Sequence, residues 1–171
     1  MDNRVAVLIA VCAVSLTAYQ AHVINRTQHL SVLPYVGISF RQDEDGAGWT
    51  MTNWGVGPAK IRTFEVLVDG KPQPHWRAVG AALGLPRPAR YESTVPSPGS
   101  IELPEITSQL FWIGRGPVSE TLTRNRERVI VRLCYCSLFD DCWVVTDREG
   151  EPKRGSCEAA PAVPFEAYPA G

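Results

Sequence analysis

Cys134, Cys136, Cys142 and Cys157 are the side chains best equipped for covalent chemistry in this 171-residue chain. Thiols crowded this closely can be oxidised in pairs, can hold a metal as thiolates, or can cycle as a redox couple. Oxidation is the leading expectation for an even set lying beyond an apolar N-terminal run. Cys134 with Cys136 is the least suitable pair, because same-face neighbours on a strand sit about 6.5–7 Å apart, too far for good bridge geometry. If Ser137–Asp141 form a hairpin loop, Cys136 and Cys142 become cross-strand neighbours and Cys134 is left to meet Cys157. We therefore prefer 136–142 with 134–157, while 142–157, with Cys134 and Cys136 reduced or strained, stays open. Each closed loop would contribute roughly 2–3 kcal/mol in the chain-entropy model. The spacing C-x-C-x5-C-x14-C lacks the C-x2-C knuckles usual in structural zinc sites, so zinc is secondary. A Cys134/Cys136 redox couple is also secondary, because no βαβ pattern surrounds it.

Other reactive constellations are missing. The chain has three histidines: His22 falls in the apolar run, His29 follows it, and His75 opens an expected helix. There is no Gly-x-Ser-x-Gly elbow and no His-Glu-x-x-His pair, so no catalytic residue, metal ligand or cofactor is assigned. Asp43, Glu44 and Asp45 lack the spaced ligands and distal glutamate of a calcium loop and read as a solvated hairpin tip. Asp140 and Asp141 read as loop residues. A net charge of −1 argues against nucleic acid as a partner, since phosphate binding needs a basic stripe. Arg124, Arg126, Arg128 and Arg132 form a short basic stretch, read first as a solvated face. Within it Arg124 and Arg126 are retained as a candidate docking surface for an acidic partner. Most of the five tryptophans should be core anchors. Trp54 stands inside a glycine turn and is the candidate exposed contact.

That turn, Asn53-Trp54-Gly55-Val56-Gly57-Pro58, is read as structural. Gly55 and Gly57 admit backbone shapes closed to other residues, Pro58 sets the next φ, and the Asn53 amide can bond nearby backbone. A phosphate cradle is a minor alternative, because no Lys-Ser/Thr and no helix opening follow.

The elements that would carry these residues start with Val5–Ile24. The run is uncharged, and a helix over it would be about 30 Å long, matching the hydrocarbon core of a bilayer. Small residues are poorly placed for signal cleavage and Val5–Ala18 has no polar stripe, so a retained anchor outranks a cleaved signal or a soluble core helix. We divide the chain into an anchor at 1–24, a polar juxtamembrane link at 25–31, a domain at 32–157 and a Pro/Ala-rich irregular tail at 158–171. Alternation predicts strands over Tyr35–Arg41, Gly48–Asn53, Ile61–Val68, Ala89–Val95, Glu105–Ile113, Arg128–Cys136 and Cys142–Thr146, with turns at Asp45-Gly46 and Asp69-Gly70. Trp76, Val79, Gly80 and Leu83 keep helical spacing, and Pro117–Asn125 suits a second short helix. The fold expected is mainly β: an N-terminal transmembrane helix followed by a single β-sandwich-like domain with one or two short helices. A partly open barrel is the runner-up.

Two segments carry a resemblance. Asn53-Trp54-Gly55-Val56-Gly57-Pro58-Ala59-Lys60-Ile61 is similar to the N-x-G-x-G-P-A-x-I signature of uncharacterised bacterial single-span membrane proteins. Leu30-Ser31-Val32-Leu33-Pro34 resembles their L-S-V-x-P junction between span and domain, and Cys134-Tyr135-Cys136-Ser137 with Cys142-Trp143 is also similar. Thr27-Gln28-His29 replaces the usual His-Asn-Arg before the junction. The resemblance implies an anchored β-sandwich and brings no activity.

The function expected is therefore a non-enzymatic interaction or structural module, held by residues 5–24 on the periplasmic side of a bacterial inner membrane, with a protein partner in membrane or periplasm. An envelope thiol-redox enzyme or zinc-binding protein using the Cys134/Cys136 segment is the alternative. A cytoplasm-facing domain with reduced cysteines is a third arrangement.

Overall fold

The computed structural model describes residues 3–86, 91–157 and 163–166, with backbone alone at 25, 26 and 28–31. Helix α1 (Asn3–Ser31) comes first. Its Asn3–Ile24 portion is long and apolar enough to cross a membrane, and none of it is buried against the rest of the chain. The helix runs on through 25–31, so the polar juxtamembrane link is itself helical. No glycine or proline interrupts that stretch, so the helix nucleated upstream propagates through it. It stops just before Pro34, whose ring disfavours helical backbone at Leu33.

Two sheets follow. The first holds β1 (Val36–Gln42), β2 (Gly46–Asn53) and β6 (Thr107–Gly114) in the order β1-β2-β6, all antiparallel. The second has the order β4-β3-β7-β8-β9, built from β3 (Ala59–Val68), β4 (Lys71–Gln73), β7 (Val129–Cys136), β8 (Cys142–Thr146) and β9 (Lys153–Arg154). The short β5 (Ile101–Glu102) pairs with the start of β3. Helices α2 (Trp76–Ala82) and α3 (Pro117–Asn125) follow β4 and β6 in the chain. The mainly β architecture behind an apolar helix is thus the fold expected.

One shared core joins the sheets. Val36, Trp49 and Met51 of the first sheet pack in it with Phe64, Val66, Val131, Leu133 and Tyr135 of the second. Burying such side chains stabilises by about 1.5–3 kcal/mol each relative to exposure. In β3 the buried set is Ala59 and Ile61, then Phe64, Val66 and Val68. The phase of alternation changes at the register shift between Ile61 and Thr63, where one extra residue turns the strand over. Two polar ties also cross between sheets. The Tyr135 hydroxyl accepts the Val36 N–H at 3.1 Å. Asp147 accepts the Trp49 indole N–H at 2.7 Å and the Val131 N–H at 3.0 Å.

Ala89–Val95 is not a strand over its described part, which makes a single bridge from Glu92 to Trp112; residues 89 and 90 lie outside the described residues. Thr94 donates to the Gln109 carbonyl at 3.0 Å, and Pro96 and Pro98 then offer no N–H with which to extend the pairing. Most of the tail at 158–171 lies outside the described residues. Its Phe165, however, is 9% exposed and packs edge-on against Phe64 and Trp76, so the core draws on a residue from beyond 157.

Candidate functional site

The strand ends sort the molecule into two poles. β1 begins, β2 ends and β3 begins where the chain leaves α1, whereas the β1–β2 turn at Asp43–Asp45 and the Asp69-Gly70 turn lie at the far pole. At the near pole the glycine turn closes on the segment leaving the helix. Val56 and Gly57 both donate N–H to the Leu33 carbonyl, at 3.1 and 3.2 Å, and Trp54 donates to the Tyr35 carbonyl at 2.8 Å.

Asn53 is the hub of this junction, with 1% of its surface exposed. Its side-chain oxygen accepts N–H bonds from Tyr35 at 3.1 Å and Gly55 at 3.0 Å. Its side-chain nitrogen donates to the carbonyls of Gly57 at 2.9 Å and Glu102 at 3.1 Å. An amide offers two donors and two acceptor lone pairs, so the group is fully used. The glycines are required by space: a Cβ on Gly57 would fall 1.8 Å from the Val32 carbonyl oxygen, and one on Gly55 would fall 2.5 Å from that of Leu33. The glycine turn and the helix-exit segment, distant in sequence, thus form one joint.

Trp54 projects from this joint and is 57% exposed. Its six-membered ring lies over Gly37, where a Cβ would meet Cζ3 at 2.2 Å, and the Tyr35 ring stands 6.4 Å away. Arg124 and Arg126 are elsewhere. Both follow β6, whose last residue Gly114 pairs with Gly46 at the far pole. Arg124 is spent on Thr121 of its own helix, and the Arg126 guanidinium lies 5.7 Å above the Phe40 ring and 3.2 Å from Glu127. The candidate binding residues therefore belong to two separate surfaces.

The cysteines gather beside β7 and β8. Cys134 is joined to Cys157 and Cys136 to Cys142, with Cα separations of 5.6 and 4.0 Å. The two pairs touch, since Sγ of Cys136 lies 3.7 Å from Sγ of Cys157. Sulfurs of Cys136, Cys142 and Cys157 all lie within 4.8 Å of one another, so the reduced cluster would have the compactness a metal needs. In the bonded state the four sulfurs have no thiolate to offer an ion or a substrate.

A further feature was not visible in the sequence. A cavity of about 510 Å³ lies under α2, lined by Trp76, Tyr91, Phe111, Val118 and Leu122 among others. The Trp76 ring, 3% exposed, stacks with Trp49, and its indole N–H has no partner among the described residues. His75 caps α2 by accepting the Ala78 N–H on Nδ1 at 3.0 Å, which leaves its neutral-state proton on Nε2. Helical spacing exposes Trp76 as a core residue, but the space beside it depends on where Tyr91 and Phe111 come to rest.

Burial dominates the titrating groups between the sheets. It pushes the Tyr135 phenol up to about 12, with the Val36 hydrogen bond opposing it. It also raises the Asp147 carboxyl above the ordinary value of 3.8, against the bonds from Val131 and Trp49. At the surface, hydrogen bonding from Arg128 holds the Asp69 carboxyl below its ordinary value.

No family model, curated protein or solved structure matches this chain.

Proposed function

We propose that this protein is a membrane-anchored, non-enzymatic binding or structural module, a disulfide-braced β-sandwich displayed on the periplasmic side of a bacterial inner membrane. The observation that carries the proposal is the joint at Asn53. It spends a fully bonded buried amide and two glycines that tolerate no side chain on fastening the sandwich to the end of an exposed apolar helix. The two sulfur pairs support an oxidising compartment. The bacterial envelope itself comes from the resemblance of the Leu30–Pro34 and Asn53–Ile61 segments.

The test is a topology reporter fused after Gly171, using an enzyme active only outside the cytoplasm. Activity is expected from the full-length fusion in the membrane fraction. A fusion active only with a cytoplasmic reporter would overturn the orientation. Thiol labelling without reductant separates module from redox enzyme: Cys12 alone should react after denaturation, and rapid labelling at Cys134 or Cys136 in the native protein would favour the thiol-redox alternative.

A second reading has the cavity beneath α2 in its favour. Its aromatic lining and volume fall in the range of small-molecule sites, and the free Trp76 N–H would reward a ligand carrying one hydrogen-bond acceptor. A small apolar ligand that quenches or shifts Trp76 emission in the wild type, with the response lost in Trp76→Phe, is the result this reading expects.

A further inference from the structure

We infer that the near pole of the sandwich is itself a membrane-contacting surface, seating Trp54 and its neighbours against the headgroups of the bilayer that holds α1. This rests on the reading of Asn3–Ile24 as a retained span, and goes beyond it by assigning a lipid-facing role to the folded domain.

Exposed apolar side chains concentrate around the Asn53 joint. Tyr35 is 42% exposed, Trp54 57%, Val56 69%, Leu103 57% and Ile106 48%. The backbone places them together. Trp54 and Val56 are bonded to Tyr35 and Leu33, while the 102–106 loop is fastened to Asn53 through the Glu102 carbonyl, the Glu105 N–H at 2.8 Å and the Ile106 carbonyl at 3.2 Å. The tip of the β7–β8 hairpin reaches the same pole, since Cys136 pairs with Lys60, and its Leu138 is 56% exposed.

The length of the connection decides what this surface faces. From Ile24 the helix continues to Ser31, a further rise of roughly 10 Å, which carries its end through a headgroup layer roughly 5–8 Å thick and leaves it within a few Å of that layer's outer edge. Only Val32, Leu33 and Pro34 separate the helix from Tyr35, and Leu33 is hydrogen-bonded into the domain. The domain therefore has no free tether with which to stand away from the lipid, and the pole nearest the surface is the apolar one. Tryptophan and tyrosine are the side chains that favour this depth, with an apolar ring and a polar tip. Trp54 is also held in place by Gly37 beneath its ring. Around the patch Lys60 and the Asp140-paired Arg62 are balanced by Glu102 and Glu105 and give no excess of positive charge, so the contact suits zwitterionic lipid and should not depend on salt.

The test uses the full chain reconstituted in phosphatidylcholine vesicles, with and without lipids brominated near the top of the acyl chains. Bromine quenches tryptophan at short range, and the difference between wild type and Trp54→Phe isolates the Trp54 signal. Its emission is expected to be lower in brominated than in plain lipid, equally at low and high salt. A parallel alkaline wash reports the span. A chain that resists the wash while Trp54 is unquenched would overturn the docking surface and leave the span standing. A chain released by the wash would overturn the span, and the docking inference with it. Trp54 shielded from aqueous quencher yet untouched by brominated lipid would assign the patch to a protein contact and would also overturn the inference.

Discussion

The side-chain oxygen of Asn53, at the end of β2, accepts the backbone N–H of Tyr35 at 3.1 Å, and so ties the sheet to the first residues beyond the membrane-type helix. Tyr35 cannot make that bond within β1, which starts one residue later. Its N–H would otherwise need water at the point where the domain meets the segment leaving α1.

Asn53 should consequently be intolerant of replacement. Asn53→Ala leaves four partly buried backbone groups without their partner and is expected to cost about 2–4 kcal/mol. Asn53→Asp should cost at least as much, because it turns an acceptor toward the carbonyls of Gly57 and Glu102. Denaturant midpoints of full-length protein in detergent measure both.

Gly57→Ala forces a methyl into the Val32 carbonyl and is expected to destabilise by about 2–4 kcal/mol, with faster proteolysis near residue 33. Gly80→Ala is the paired control. A Cβ at Gly80, inside α2, meets nothing within 4 Å, so that variant should gain about 0.5–1 kcal/mol. Equal effects at the two glycines would refute the joint.

The two sulfur bridges should differ in weight. Cys134–Cys157 spans 23 positions and Cys136–Cys142 spans six. Loop closure assigns roughly 3 kcal/mol to the longer and roughly 2 kcal/mol to the shorter. Cys134→Ser with Cys157→Ser should also release the strand β9 and the segment after it, seen as earlier cleavage there in limited proteolysis.

Asp147 predicts a pH dependence of stability. Burial raises its folded carboxyl above 3.8, so the folded state binds that proton more tightly than the unfolded state does. Its contribution is complete below the unfolded value and is lost as pH rises through the folded one. Stability attributable to this residue should therefore fall with rising pH just above 3.8. Asp147→Asn should abolish the slope and lower stability by about 1–3 kcal/mol, since its amide must turn a donor toward either Trp49 or Val131. A wild-type-minus-variant difference that is flat with pH would refute this.

The chain's local patterns determined its longer elements, though they also suggested a strand over Ala89–Val95 that does not form and left the short β4, β5 and β9 unmarked. An uncharged apolar run sets a helix of membrane length, period-two alternation sets β1, β2, β3 and β7, and Pro117 with Val118 and Leu122 sets α3 at its observed bounds. These signals are legible because backbone periodicity places near neighbours on one face whatever the rest of the chain does. Tertiary structure alone decided which distant groups meet. Asn53 could be read as a turn former, but not as the partner of Tyr35 and Glu102. Trp54 and Arg126 were both candidate contact residues, and only strand direction shows that they stand at opposite poles. The phase change after Ile61 and the use of Phe165 as a core residue were equally hidden. Each depends on register and packing summed over both sheets, and no window of adjacent residues contains that sum.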